Sequence, residues 1–294
     1  MRSLLHILVL AALVAAGSLY WLSRPQVLAA GSFADSIGDP ERGQQVYLAA
    51  GCRSCHSAPN GNDKDVLAGG QRFPSEFGTF VAPNISPDPE HGIGTWTLYD
   101  FANAVQRGVS PSGQHYYPAF PYTAYIRTEP QDMADLWAFW QTLPLSDAPN
   151  AAHEVPFPFS IRRSVGLWKR LYLTDRWILT GDLTPEAMDG RRLVEALAHC
   201  GECHTPRGTL GNLDTARWLG GAPNPTGSGT VPGLTPTELT WSASDIAYYL
   251  ESGFTPDYDS AGGHMVAVVE TFAELSSDAR DAVASYLKAL PQRD

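Results

Sequence analysis

Cys52-Arg53-Ser54-Cys55-His56 and Cys200-Gly201-Glu202-Cys203-His204 lie 148 residues apart and contain all four cysteines of the chain. Each reads as an attachment site for c-type haem. Two thiols three positions apart can add to the two vinyl groups of one haem, and the next residue presents an imidazole to the iron from the same side. Three other readings compete: a zinc held by all four thiolates, a thioredoxin-like dithiol, and a short disulfide. Zinc knuckles need no histidine after the second cysteine, and their usual separation is about 15–20 residues. A disulfide leaves the repeated histidine unexplained. The expectation is therefore two covalent haem c groups on Cys52, Cys55, Cys200 and Cys203, with His56 and His204 as proximal ligands.

The N-terminus indicates the compartment. Leu4 to Leu22 form an uncharged run of 19 residues between Arg2 and Ser23-Arg24-Pro25. That is an export signal longer than the usual apolar region of about 7–15 residues, and it just reaches spanning length. Tyr20 and Trp21 would sit at the far membrane interface. The expectation is an uncleaved anchor over residues 1–30, with the rest of the chain on the periplasmic side of a bacterial inner membrane. Val27-Leu28-Ala29 offers a cleavage site, which would give a soluble periplasmic form instead.

The remainder is long enough for two domains, and an internal repeat supports two. Trp96, Asp100, Ala102 and Gly108 stand at offsets 0, 4, 6 and 12, repeated by Trp241, Asp245, Ala247 and Gly253. Pro83-Asn84-Ile85-Ser86-Pro87 matches Pro232-Gly233-Leu234-Thr235-Pro236, and Leu67-Ala68-Gly69-Gly70 matches Trp218-Leu219-Gly220-Gly221. Helices are expected from Asp39 or Pro40 into the first motif and from Arg191 to His199 before the second. Others are expected over Leu98–Arg107 and Ser244–Glu251, ending near Gly108 and Gly253, and over Gln131–Thr142 and Ser277–Leu290. No strand pattern is sustained, and the Pro- and Gly-rich loops, such as 222–233, would wrap the haems. The fold class is all-α: residues 31–150 and 181–294 form two tandem domains, joined by a helical linker over 151–180. Ile161 to Trp177 mixes five basic residues with apolar ones. It reads as a bridging helix packed on both domains, or else as an amphipathic element near the membrane.

These repeats resemble class I cytochrome c domains. Phe80-Val81-Ala82-Pro83-Asn84-Ile85-Ser86-Pro87-Asp88, Gly92-Ile93-Gly94-Thr95-Trp96 and Tyr117-Pro118-Ala119-Phe120-Pro121-Tyr122 resemble the cytochrome c subunits of bacterial membrane-bound alcohol, gluconate and related sugar dehydrogenases. Cys203-His204-Thr205-Pro206-Arg207 is similar to the same family. The resemblance covers about residues 39 to 291. Those subunits commonly carry three haems, whereas two attachment motifs are present here. It implies single-electron transfer from a periplasmic dehydrogenase to an oxidase or a soluble cytochrome.

Distal ligands follow from the repeat. Met265 lies twelve residues after Gly253 and is the expected sixth ligand of the second haem; Phe120 lies twelve after Gly108 and cannot ligate iron. The resembled family often has methionine there. His115 could substitute at the first haem, Met133 or a nearby tyrosine is an alternative, and an open site is the other outcome. An open site would allow a haem enzyme, a peroxidase or small-anion oxidoreductase, although no other motif supplies acid–base chemistry. The net charge of −11 is concentrated in residues 181–294, with 16 acids against 7 Lys and Arg. This disfavours nucleic acid, and it would either steer a partner with a basic face or serve solubility alone.

Overall fold

A computed structural model describes residues 1–224 and 229–292; part of the 222–233 loop, residues 225–228, lies outside them. The chain is mostly helical and begins with α1 (Arg2–Leu22), none of whose side chains is buried. Among the described residues it is the one helix long and apolar enough to cross a membrane. The following elements come in two similar sets. The first contains α2 (Pro40–Ala49), α3 (Cys52–His56), the β1–β2 hairpin (Arg72–Ser75, Gly78–Val81), α4 (Leu98–Arg107), α5 (Tyr122–Tyr125) and α6 (Pro130–Trp140). After α7 (Ser164–Tyr172), the second contains α8 (Pro185–Arg192), α9 (Gly201–His204), the β3–β4 hairpin (Ala222–Pro223, Thr230–Val231), α10 (Ala243–Ser252), α11 (Met265–Ala273) and α12 (Ser277–Ala289).

Each set is built on one helix crossing at a glycine. A Cβ on Gly43 of α2 would lie 2.0 Å from the Asp135 carbonyl oxygen of α6, and one on Gly190 of α8 would lie 1.9 Å from that of Ala282 in α12. Only glycine permits backbones this close. The cores differ around the same crossing. Tyr47, Phe101, Trp137, Phe139 and Trp140 form an aromatic cluster in the first set, with centroids 5.0–6.0 Å apart. In the second, Trp218 donates to the Tyr286 hydroxyl (2.9 Å), which donates to buried Glu195 (2.7 Å). Glu195 also accepts from the Ile178 and Leu179 amides.

The sequence spacing differs by one between the sets: Gly43 stands nine residues before Cys52, and Gly190 ten before Cys200. The structure absorbs the extra residue in a π-helical turn over Leu193–Leu197, a single-turn bulge that keeps crossing and motif in register. This is why the helix expected to run unbroken from Arg191 to His199 does not.

The caps of α4 and α10 match closely. Thr97 with Asp100, and Ser242 with Asp245, make reciprocal capping boxes. Gly108 and Gly253 close the helices in the left-handed region at φ 58° and 77°. Beyond them, Tyr116 and Ala261 donate back to the Gly108 and Gly253 carbonyls, both at 2.7 Å.

Two expectations need correction. The fold is not purely α, because two short antiparallel hairpins are present. Strands of four and two residues carrying Pro74 and Pro223 are too short for alternation to register. The Leu67 match is also shifted by one. Ile85 and Leu234, equivalent in the proline strings, donate to Leu67 and Leu219 respectively, which pairs Leu67 with Leu219 rather than Trp218.

α7 touches both sets. Trp168 donates to Leu210, and the Lys169 ammonium donates to the Arg107 and Gly108 carbonyls at the end of α4, lying over the Tyr122 ring. Burial pushes Lys169 down to about 7 from its ordinary 10.5, against the contacts that hold its proton. Between those values the unfolded chain binds a proton that the folded one lacks, so stability rises with pH, by up to roughly 1.4 kcal/mol per unit. In urea titrations across that window the slope is expected to flatten in Lys169→Met; an unchanged slope would contradict the assignment.

Candidate haem-binding site

The two cysteine motifs sit on short helical turns, α3 and α9, placed directly after the crossing helices. None of the four cysteines is in a disulfide, which leaves every sulfur available to a haem vinyl group. The surrounding protein pushes the Cys52 and Cys200 thiols up to about 12 and raises Cys55 and Cys203 as well, chiefly by desolvation.

Both motif histidines are oriented by the same device. Nδ1 of His56 lies 2.9 Å from the Pro83 carbonyl oxygen, and Nδ1 of His204 lies 2.7 Å from that of Pro232. A carbonyl only accepts, so Nδ1 carries the proton and Nε2 keeps its lone pair. Desolvation by the protein pushes His56 down to about 4 and lowers His204. Each histidine's own carbonyl is held by a glycine amide, Gly69 (2.7 Å) or Gly221 (2.9 Å). A neutral imidazole with its outer nitrogen anchored and its Nε2 free is the usual form of a metal-ligating histidine. With two thiols three residues apart beside it, this donor set fits a covalently attached haem at each motif.

The distal candidates separate. Phe120 N donates to Tyr117 O (3.1 Å), and Met265 N donates to Gly262 O (3.2 Å), so the two residues occupy equivalent turns. The Phe120 ring lies among Tyr116, Tyr122 and Tyr125 at 6.0–6.3 Å. Met265 is partly buried against the core as the first residue of α11. The structure makes that stretch helical despite its valines, which favour strand from sequence. His115 is buried, with Nε2 2.9 Å from the Ser23 carbonyl oxygen at the end of α1. Met133 is buried in α6 within the core cluster.

The structure brings the two motifs together. Tyr125, buried between them, donates to the Ala50 carbonyl just before Cys52 (2.8 Å), and its ring meets the edge of His199 just before Cys200 (5.6 Å). Thr123 donates to Glu202 inside the second motif (2.8 Å). Arg53 inside the first motif pairs with Glu274 after α11, and Lys64 pairs with Glu270. Desolvation and then Glu202 raise the Cys203 thiol most, with Cys55 of the other motif a smaller contributor. Sequence reading did not assign roles to Tyr125 or to the proline carbonyls, though Pro83 and Pro232 stand in the repeated strings that it did find.

A mostly helical chain with two histidine-oriented cysteine motifs is a c-type cytochrome. The cytochrome c family model matches residues 40–144. The chain is 53% identical over 281 residues to a diheme cytochrome c-type protein of Cereibacter sphaeroides, covering 95% of each. It belongs to this family of dihaem cytochromes and carries two covalently bound haem c groups. It is also 37% identical to the fructose dehydrogenase cytochrome subunit of Gluconobacter japonicus and 34% identical to the gluconate 2-dehydrogenase cytochrome c subunit of Pantoea cypripedii. These matches cover 86% of this chain but only 52% and 60% of those subunits, so the chain spans little more than half their length.

Proposed function

We propose that this protein is a dihaem electron carrier, accepting single electrons from a periplasmic dehydrogenase and delivering them to a respiratory oxidase or soluble cytochrome. Residues 31–150 and 181–294 act as tandem cytochrome c domains, each wrapped around its own haem, with 151–180 as the linker. The observation that carries the reading is the paired, identically oriented motifs meeting across Tyr125. When bound, each haem supplies a one-electron iron couple. Cys52, Cys55, Cys200 and Cys203 hold the two groups, and His56 and His204 are their proximal ligands. The Pro83 and Pro232 carbonyls fix the imidazoles, and Met265 is the distal ligand at the second site. Tyr125, with the Arg53–Glu274 and Lys64–Glu270 pairs, holds the sites at constant separation. The acidic second half favours partners with a basic face.

The denatured chain is expected to retain two haems, and Cys52→Ala and Cys200→Ala each to weaken attachment at their own site alone. One haem per chain in the unmodified protein would contradict the proposal. Reduction of the purified cytochrome by a sugar or alcohol dehydrogenase tests the donor class.

A second reading, an enzyme with an open first haem, is supported by Phe120 in the distal turn and by the engagement of His115 Nε2 with Ser23. Cyanide binding to the resting protein tests it.

The length and exposed apolar surface of α1 support an uncleaved anchor on the periplasmic side of the membrane. The intact mass should then include Arg2, and an N-terminus near Ala30 would overturn the anchor.

A further inference from the structure

The segment around α7 grips the end of α1. Arg163 donates through Nε to the Ser23 hydroxyl (2.9 Å) and through Nη2 to the Tyr20 carbonyl (2.8 Å), with its guanidinium over the Tyr20 ring. Arg170 donates to the Leu22 carbonyl (3.1 Å) and lies near Trp21, with its guanidinium carbon 5.8 Å from the ring centroid. The Gly166 backbone closes on Ser23 so tightly that a Cβ there would lie 2.1 Å from the Ser23 carbonyl oxygen. Positions 163, 166 and 170 fall on one helical face, which is therefore the face turned to α1.

This contact sets a depth. A 21-residue helix is about 31 Å long at about 1.5 Å per residue, close to the hydrocarbon thickness of about 30 Å. If α1 spans the bilayer, Tyr20 to Ser23 lie at its far interface, and α7 is held at the level of the lipid headgroups. The chemistry there is suited to such a place. Residues 161–177 carry five basic side chains against one acid, Asp175, in a chain of net charge −11, and of the five only Lys169 is buried. Ile161 and Leu171, each adjacent to an arginine, are 49% and 71% exposed.

We infer that α7 and its flanks form a second membrane contact, in which Ile161 and Leu171 enter the periplasmic face of the bilayer and the remaining donors of Arg163 and Arg170 meet anionic phospholipid headgroups, whereas Arg162 is turned inward to the His115 carbonyl and the Tyr117 ring. The inference rests on the uncleaved-anchor reading of α1. It gives the helix a purpose that packing alone does not explain: one transmembrane helix leaves the haem domains free to swivel, whereas a second contact fixes which face they turn to a membrane-bound donor. Cationic side chains flanking apolar ones are the pattern by which interfacial helices bind anionic surfaces.

The haem thioethers consume every native cysteine, so an introduced one can be labelled uniquely. The full holo-protein would be reconstituted in phosphatidylcholine vesicles with or without phosphatidylglycerol, carrying a nitrobenzoxadiazole label at Gly17→Cys, Ile161→Cys, Leu171→Cys or Tyr258→Cys. Nitroxide lipids serve as quenchers. Tyr258 is 96% exposed in the second half and serves as the water-facing control. At least about a twofold loss of emission is expected at 161 and 171 from headgroup-level nitroxide, larger with phosphatidylglycerol, together with quenching at 17 by acyl-chain nitroxide and none at 258. Quenching at 17 with 161 and 171 behaving like 258 overturns the second contact while leaving the anchor intact. Equal quenching at 161 and 171 in both vesicle types overturns recognition of anionic headgroups. No quenching at 17 overturns the anchor, and this inference with it.

Discussion

Met265→Ala is expected to abolish the weak near-infrared charge-transfer band of thioether-to-iron ligation and to lower the potential of the second haem by on the order of 0.1 V or more. Axial ligands move haem potentials across roughly 0.8 V, and the loss of methionine acts in the lowering direction. The first haem should be unaffected, because its distal turn presents Phe120. The reciprocal change, Phe120→Met, should create a second such band and raise the first potential, since Phe120 and Met265 share the same backbone hydrogen bond in turns of equal length. α5 follows Phe120 after one residue, whereas Met265 itself opens α11, so the engineered sulfur approaches from a different helix. Two thioether bands in the unmodified protein would overturn the assignment and point to Met133. Retention of the band in Met265→Ala would also overturn it.

Gly190→Ala is expected to be among the most destabilising conservative changes in the chain. Alanine normally gains about 1 kcal/mol over glycine inside a helix. Here its Cβ would meet the Ala282 carbonyl oxygen at 1.9 Å and the Tyr286 Cβ at 2.7 Å. Backbone cannot yield as a flexible side chain would, so overpacking at the upper end of its range, about 3 kcal/mol, outweighs the gain in propensity. Gly43→Ala should behave alike, because its Cβ would meet Asp135 O at 2.0 Å and the Phe139 Cβ at 2.8 Å. Denaturant midpoints of the holo-protein measure both. A midpoint unchanged or raised in either variant would show that the crossing can separate at little cost.

What was legible in the sequence was local. Covalent chemistry ties the cysteine motifs to haem whatever surrounds them, and an uncharged run of 19 residues is apolar in any fold. Helix caps such as Thr97 with Asp100 and Ser242 with Asp245 depend on residues three apart, and Gly108 and Gly253 answer a backbone need at a helix end. The same locality made the repeat readable to within one residue. Only the tertiary structure decided what depends on groups far apart in the chain. The carbonyls that orient His56 and His204 come from 27 and 28 residues away, and a carbonyl leaves no mark in residue identity. His115 appeared as free a candidate as any loop histidine until Ser23, 92 residues earlier, was seen to take its Nε2. Tyr125 gains its place between the motifs from Ala50 and His199, 75 residues before it and 74 after it. The sequence by itself determined which cofactor the chain carries and that its plan repeats. Long-range packing decided how the two motifs face each other and what orients their histidines, because those contacts join residues that no local spacing relates.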